Sequence, residues 1–261
     1  MLSKNLQHYI WHTVIYTSLI IPIRRLFYSG PWQKSVIHYY QRKYPLSVTK
    51  NDVFNVPLLS SVLLAQQTDL MLDTLLEAHC LCGLQIKPNV CDQLSRLFIE
   101  LNVNFYENPH RNHSIVRGLA EDPLVMALVS YYFKSTPELD SSYFVRTLPE
   151  YEHAITRATT FHRDFPDFIL LTLMVYLSDV DGERSPHEVI PEPCMLNSWR
   201  TMLGDFGWIY ASKTTRSTPV SVVAAKGHAA LENIQLLHRR AVGKQTRKVM
   251  FLNYRLMKSS K

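Results

Sequence analysis

At 261 residues, with 46% of them hydrophobic, the chain is long enough for one large domain or two small ones and apolar enough to bury a real core. Its four cysteines (Cys80, Cys82, Cys91 and Cys194) contain no CxxC pair, which excludes a disulfide scaffold and points to reduced thiols in a reducing compartment. The net charge of +6 is uneven: residues 1–50 carry +7 and residues 239–261 carry +8 with no acid in either, so the middle is acidic at −9. Two basic ends suggest an anionic partner: a membrane surface, an anionic substrate or nucleic acid. No recognised nucleic-acid-binding motif accompanies the charge, and no nucleic acid is expected.

In chain order, Leu2 to Tyr28 reads as a helix that is apolar nearly all round from Tyr9 to Ile23. That run is interrupted by His12 and closed by Pro22 and Arg24-Arg25, so it is too short to span a membrane, and no cleavage site marks a secretory signal. It fits a helix packed on the core, or an interfacial helix with Tyr9, Trp11, Tyr16 and Phe27 at lipid headgroups. Leu58 to Leu81 and Asn89 to Leu101 predict helices, the second with Leu94, Leu97, Phe98 and Leu101 on one face. Glu107 to His113 predicts a loop, in which nothing orients His110 and His113 as ligands. Asp122-Pro123 predicts an N-cap and first turn of a helix reaching Tyr132.

After Pro137 the texture changes. Ser142 to Leu148, Glu152 to Phe161, Phe168 to Leu177, Val220 to Ala225, Ala229 to Leu237 and Lys248 to Leu256 all predict strands. A helical part over residues 1–135, followed by many short strands over 138–256, predicts an α+β chain with a double-stranded β-helix (jelly-roll, cupin-like) core. The polar stretch 183–217, with Trp199 and Trp208, predicts an insertion or lid bordering a substrate mouth.

The candidate chemistry starts at Thr160-Phe161-His162-Arg163-Asp164-Phe165. In extended backbone, positions i and i+2 share a face, so His162 and Asp164 converge. With one distant histidine they make a 2-His-1-carboxylate triad, the set that holds Fe(II) and leaves positions open. The pair Cys80-x-Cys82, with Cys91 nearby, has the wrong spacing for a common zinc site.

The string FHRDFPDFILLTLMVYLSDVDGERSPHEVIPEP (Phe161 to Pro193) is followed by Gly227-His228-Ala229-Ala230, Leu236-Leu237-His238-Arg239 and Arg247. Together these resemble the phytanoyl-CoA dioxygenase family of non-haem Fe(II), 2-oxoglutarate-dependent oxygenases, over Asp122 to Leu256. The resemblance implies iron held by His162, Asp164 and a third histidine. His238 is preferred, because it ends an apolar strand and Arg247 introduces the next, which lets ligand and clamp come from adjacent antiparallel strands; His228 stays as the alternative, and His187, in a turn, is too close in sequence. It further implies that Arg247 grips the far carboxylate of the cosubstrate 2-oxoglutarate and that O2 takes the remaining metal position. The carboxylate of Asp164 implies hydroxylation rather than halogenation.

Three positions depart from the family. Ser185 replaces the usual Gly before Pro-His, and Glu192-Pro193-Cys194 replaces Gly-Ser-His. Thr172 stands where many relatives carry Lys, so it becomes the second cosubstrate contact. His187 is the candidate substrate contact. Charge and the first helix favour a small anionic or lipid-linked substrate, handled in the cytoplasm at the inner face of the membrane. Among family activities, hydroxylation of the sugar acid Kdo on lipid A fits. The rivals are a soluble secondary-metabolite or amino-acid hydroxylase, and a jelly roll that survives as a binding module without catalysis.

Overall fold

The computed structural model describes residues 30–57, 61–64, 69–149, 157–164, 170–191 and 218–256. The predicted helix Leu2 to Tyr28, Cys194 and the lid beyond residue 191 lie outside the described residues.

Seven strands form one antiparallel sheet. In spatial order they are β1 (Leu63–Leu64), β2 (Cys80–Ile86), β8 (His228–Asn233), β5 (Leu170–Tyr176), β10 (Arg247–Leu256), β4 (Pro137–Thr147) and β3 (Phe105–Glu107). A smaller sheet holds β7 (Val220–Val222), β6 (His187–Ile190) and β9 (Leu237–Arg240), with an isolated bridge from His162 to His238 at its edge. From β4 onward the chain visits the sheets in the sequence large, small, large, small, small, large, small, large, counting the His162 bridge as a visit. That alternation closes two facing sheets into a double-stranded β-helix.

The two faces of the large sheet have different partners. Alternation along β10 sends Met250, Leu252, Tyr254 and Leu256 outward, where with Leu171, Leu173 and Val175 of β5 they pack on helices Asp69–Ala78, Pro88–Leu101, Ser114–Ala120 and Pro123–Phe133. Phe98 stacks on Phe144 at 4.9 Å, and the Tyr254 hydroxyl donates to the Ala120 carbonyl at 2.9 Å. Inward go Val249 and Phe251, which meet Met174, Tyr176, Ala230 and Val222 between the sheets. β5, the middle strand, is buried on both faces.

The Asp122-Pro123 cap forms as predicted. One carboxylate oxygen accepts from Leu124 and Val125 N–H, and the group also takes the Ser61 hydroxyl, tying the helix start to the segment entering β1.

Three predicted elements differ. Leu58 to Leu81 is not one helix: it holds β1, the helix Asp69–Ala78 and the start of β2. Leu and Cys tolerate either state, and pairing with β8 decides. Glu152 to Phe161 is no continuous strand: Arg157–Thr159 is a 3₁₀ turn, and 150–156 lie outside the described residues. Ala229 to Leu237 splits into β8 and β9 on different sheets, because buried Asn233 accepts the Gln235 N–H at 3.0 Å and folds the chain into a turn. Within the predicted loop 107–113, Pro109–Asn112 forms one helical turn, and His110 is held by the Ser142 hydroxyl at 2.7 Å.

Candidate metal and cosubstrate site

His162 and His238 lie opposite each other in the bridge: His162 N–H donates to the His238 carbonyl at 2.9 Å, and His238 N–H returns the bond at 3.0 Å. Directly opposed residues project to the same side, and here the ring centroids are 4.5 Å apart. Two residues on, Asp164 N–H donates to the Ile234 carbonyl at 3.0 Å and keeps its carboxylate on that side. The His162 Nε2 lies 3.9 Å from Asp164 Oδ1, and His238 Nε2 lies 3.7 Å from Oδ2. One donor atom from each residue falls within 4.8 Å of the others, the one such group of three among the described residues.

The hydrogen bonds decide the tautomers. His162 Nδ1 lies 2.7 Å from the Thr160 carbonyl and His238 Nδ1 lies 3.0 Å from the Leu236 carbonyl. A carbonyl only accepts, so each Nδ1 carries a hydrogen and Nε2 is left as the nitrogen that can serve as a ligand. Two imidazoles so arranged turn Nε2 to one shared point beside the Asp164 carboxylate. Both rings are buried, while Asp164 is partly open. This donor set fits a divalent metal with nitrogen and oxygen ligands.

Behind His238 lies a residue that motif reading missed. Glu232, fully buried on β8, faces His238 Nδ1 at 3.9 Å with Oε1 and meets His187 Nε2 at 2.6 Å with Oε2. Burial by itself would push this carboxyl up; His187, then His238 and His162, hold it below its ordinary value. His228, Ala230 and Glu232 alternate on one face of β8, a period-two signal that could have flagged an acid pointing inward. His187 is correspondingly not a turn residue but the first of β6, its ring 5.6 Å from that of His238. His228 stays outside the cluster, beside Tyr176 at 6.2 Å between ring centroids.

Arg247 is buried at the start of β10, with its guanidinium 6.0 Å from the Tyr176 ring and Nε and Nη1 lacking any hydrogen-bond partner. Burial lowers its pKa to about 10, with Tyr176 opposing and Arg240 reinforcing. The expectation that Arg247 and His238 come from adjacent antiparallel strands is corrected: β9 and β10 belong to opposite sheets. Thr172 donates its hydroxyl to Asn253 Oδ1 at 2.7 Å, and Asn253 Nδ2 donates to Ser141 at 3.0 Å, a polar row across β5, β10 and β4.

One cavity of about 810 Å³ between the sheets is lined by His162, Asp164, His238, His187, Thr172 and Arg247. Phe105 and Tyr143, stacked at 5.4 Å, form an aromatic stretch of its wall, and Arg146, Arg239 and Arg240 add positive charge. His110, His113 and Cys91 are not part of it.

No family model matches the chain, and no curated protein sequence matches it. Solved structures do. EctD from S. alaskensis, crystallised with 2-oxoglutarate and 5-hydroxyectoine, is 14% identical over 72% of this chain and 75% of its own, at a TM-score of 0.56. SnoN, a non-haem alpha-ketoglutarate-dependent epimerase from nogalamycin biosynthesis, is 17% identical over 71% and 82%, at 0.55. HygX from Streptomyces hygroscopicus, with iron bound, is 16% identical over 72% and 86%, at 0.53. The chain thus has the double-stranded β-helix fold of these enzymes.

Proposed function

We propose that the chain is a non-haem Fe(II)- and 2-oxoglutarate-dependent dioxygenase that hydroxylates a small anionic or lipid-linked molecule. The observation carrying this reading is the pairing of two tautomer-locked imidazoles and a carboxylate with a buried, unsatisfied arginine in one cavity. When bound, iron and 2-oxoglutarate supply O2 activation coupled to decarboxylation of the cosubstrate. His162, Asp164 and His238 would hold the metal; backbone bonds between His162 and His238 and from Asp164 to Ile234 fix their positions. Arg247 would pair with the 5-carboxylate of 2-oxoglutarate through the fork of its guanidinium, which brings a carboxylate partner to a buried cation that has two nitrogens without partners. Thr172 shapes the cosubstrate pocket through its bond to Asn253.

A cavity of about 810 Å³ holds the cosubstrate and a further small molecule. Arg146, Arg239 and Arg240 support an anionic substrate, and His187 is the group that meets it. Kdo on lipid A fits this charge, with the basic first fifty residues at the cytoplasmic membrane face. Among the described residues no helix is long and apolar enough to cross a membrane. A metabolite hydroxylase is the second reading, favoured by EctD crystallised with 5-hydroxyectoine and SnoN named from nogalamycin biosynthesis. High-salt washing separates the two: a membrane enzyme sediments at low salt and is released at high salt. The intact donor set speaks against a binding module without catalysis. The deciding experiment is anaerobic binding of Fe(II) and 2-oxoglutarate, then succinate release on adding O2; a protein that binds neither is no such enzyme.

A further inference from the structure

Strand β2 carries two thiols that the proposed reaction does not use. Its pairing with β8 breaks register between Leu81 and Leu84, and Gly83 there has φ of 89°, a left-handed conformation that makes a bulge. Cys80 and Cys82, two residues apart, share a side of the strand, and their sulfurs stand 3.8 Å apart. Cys82 is exposed and Cys80 buried. Cys91 is buried elsewhere, its sulfur directed at the Tyr176 carbonyl at 4.0 Å.

We propose that Cys82 and Cys80 form a reversible thiol-oxidation site, in which Cys82 meets a hydroperoxide and Cys80 resolves the product to a disulfide. The division of labour follows from burial: the exposed sulfur can be reached by an oxidant, and the buried one stands 3.8 Å from it, within reach of the oxidised product. The contact with Cys80, then the imidazole of His228, lowers the Cys82 thiol below its ordinary value and favours the nucleophilic thiolate. The same contact, with burial, pushes Cys80 up and keeps it a thiol until needed.

The steps balance. The Cys82 thiolate attacks one peroxide oxygen; an S–O bond forms, the O–O bond breaks, and hydroxide leaves and is protonated to water. Cys80 sulfur then attacks Cys82 sulfur; an S–S bond forms, the S–O bond breaks, and the Cys80 proton leaves with the departing oxygen as a second water. Two thiols lose two electrons and one hydrogen peroxide gains them; a dithiol reductant reverses the change. Because Cys80 lies opposite Glu232 in the β2–β8 pairing, the bridge forms one strand away from the cavity wall.

The test uses the full-length, metal-free chain, so that peroxide reacts with thiols and not with iron. It is treated with hydrogen peroxide, alkylated and analysed by peptide mass spectrometry. The expected result is loss of two hydrogens from the segment spanning residues 80–82, no alkyl label on either cysteine, retained label on Cys91, and recovery of both labels after dithiothreitol. Cys80→Ser is expected to stop at a sulfenic acid on Cys82 that dimedone traps, and Cys82→Ser to leave Cys80 alkylatable. Full labelling of both cysteines after peroxide, or a Cys80→Ser protein without a dimedone adduct, would overturn the proposal.

Discussion

Replacing Arg247 with Met separates a cosubstrate clamp from a structural arginine. In the cosubstrate-free protein, Nε and Nη1 are buried without partners, a state that costs about 1–3 kcal/mol per group. Met fills similar length without that cost, while the contact with the Tyr176 ring at 6.0 Å, worth about 0.5–2 kcal/mol, is lost. The two unsatisfied groups together cost about 2–6 kcal/mol, more than the ring contact contributes, so Tm without cosubstrate should be no lower than that of the parent and higher by a few degrees. Binding is different. Two charge-assisted hydrogen bonds to a carboxylate contribute about 1.5–3 kcal/mol each. At the lower end that is about 3 kcal/mol, or roughly 150-fold in Kd for 2-oxoglutarate. Anaerobic calorimetric titration with Mn(II) in place of iron reads this directly, and thermal melts read the other half. A variant that binds 2-oxoglutarate within about threefold of the parent would refute the clamp, as would one that unfolds while the parent does not.

His162→Ala and Asp164→Ala should each abolish stoichiometric metal binding, followed by Co(II) absorption, while circular dichroism stays unchanged, since the bridge between the strands uses backbone atoms. Glu232→Gln removes the charge behind His238 and should weaken metal affinity about tenfold, the range for groups that support a ligand histidine; unchanged affinity would make Glu232 a packing residue. Ser185→Gly should stabilise the fold by about 1 kcal/mol, seen as a Tm increase of about 2 °C. Ser185 sits at φ of 52° with its hydroxyl buried and unpartnered, so the change relieves both a left-handed backbone and an orphaned donor; a lower Tm would count against this.

That last position illustrates how a departure in the sequence acquires a physical meaning. A Gly before Pro-His, as in the family this sequence resembles, would suit a left-handed turn; this chain makes that turn while carrying a side chain there, packed close to Gly243. His187 shows the reverse. Read locally it looks like an exposed turn histidine, yet strand pairing with Val222 and Arg240 carries it to the cavity and Glu232.

Local information in the sequence sufficed for whatever depends on short-range geometry. The two-residue spacing of His162 and Asp164, the Asp122-Pro123 cap, the helix at Pro88–Leu101 and the strand textures of β4, β5 and β10 follow from periodicity and side-chain chemistry within a few residues. Tertiary pairing decided the rest. Whether Cys80–Ile86 became a strand, which histidine completed the cluster, and that a glutamate stood behind it all depend on register between segments far apart in the chain. A one-residue shift in register turns a side chain to the opposite face, and that choice is made by the burial of two whole sheets against each other rather than by any residue's neighbours.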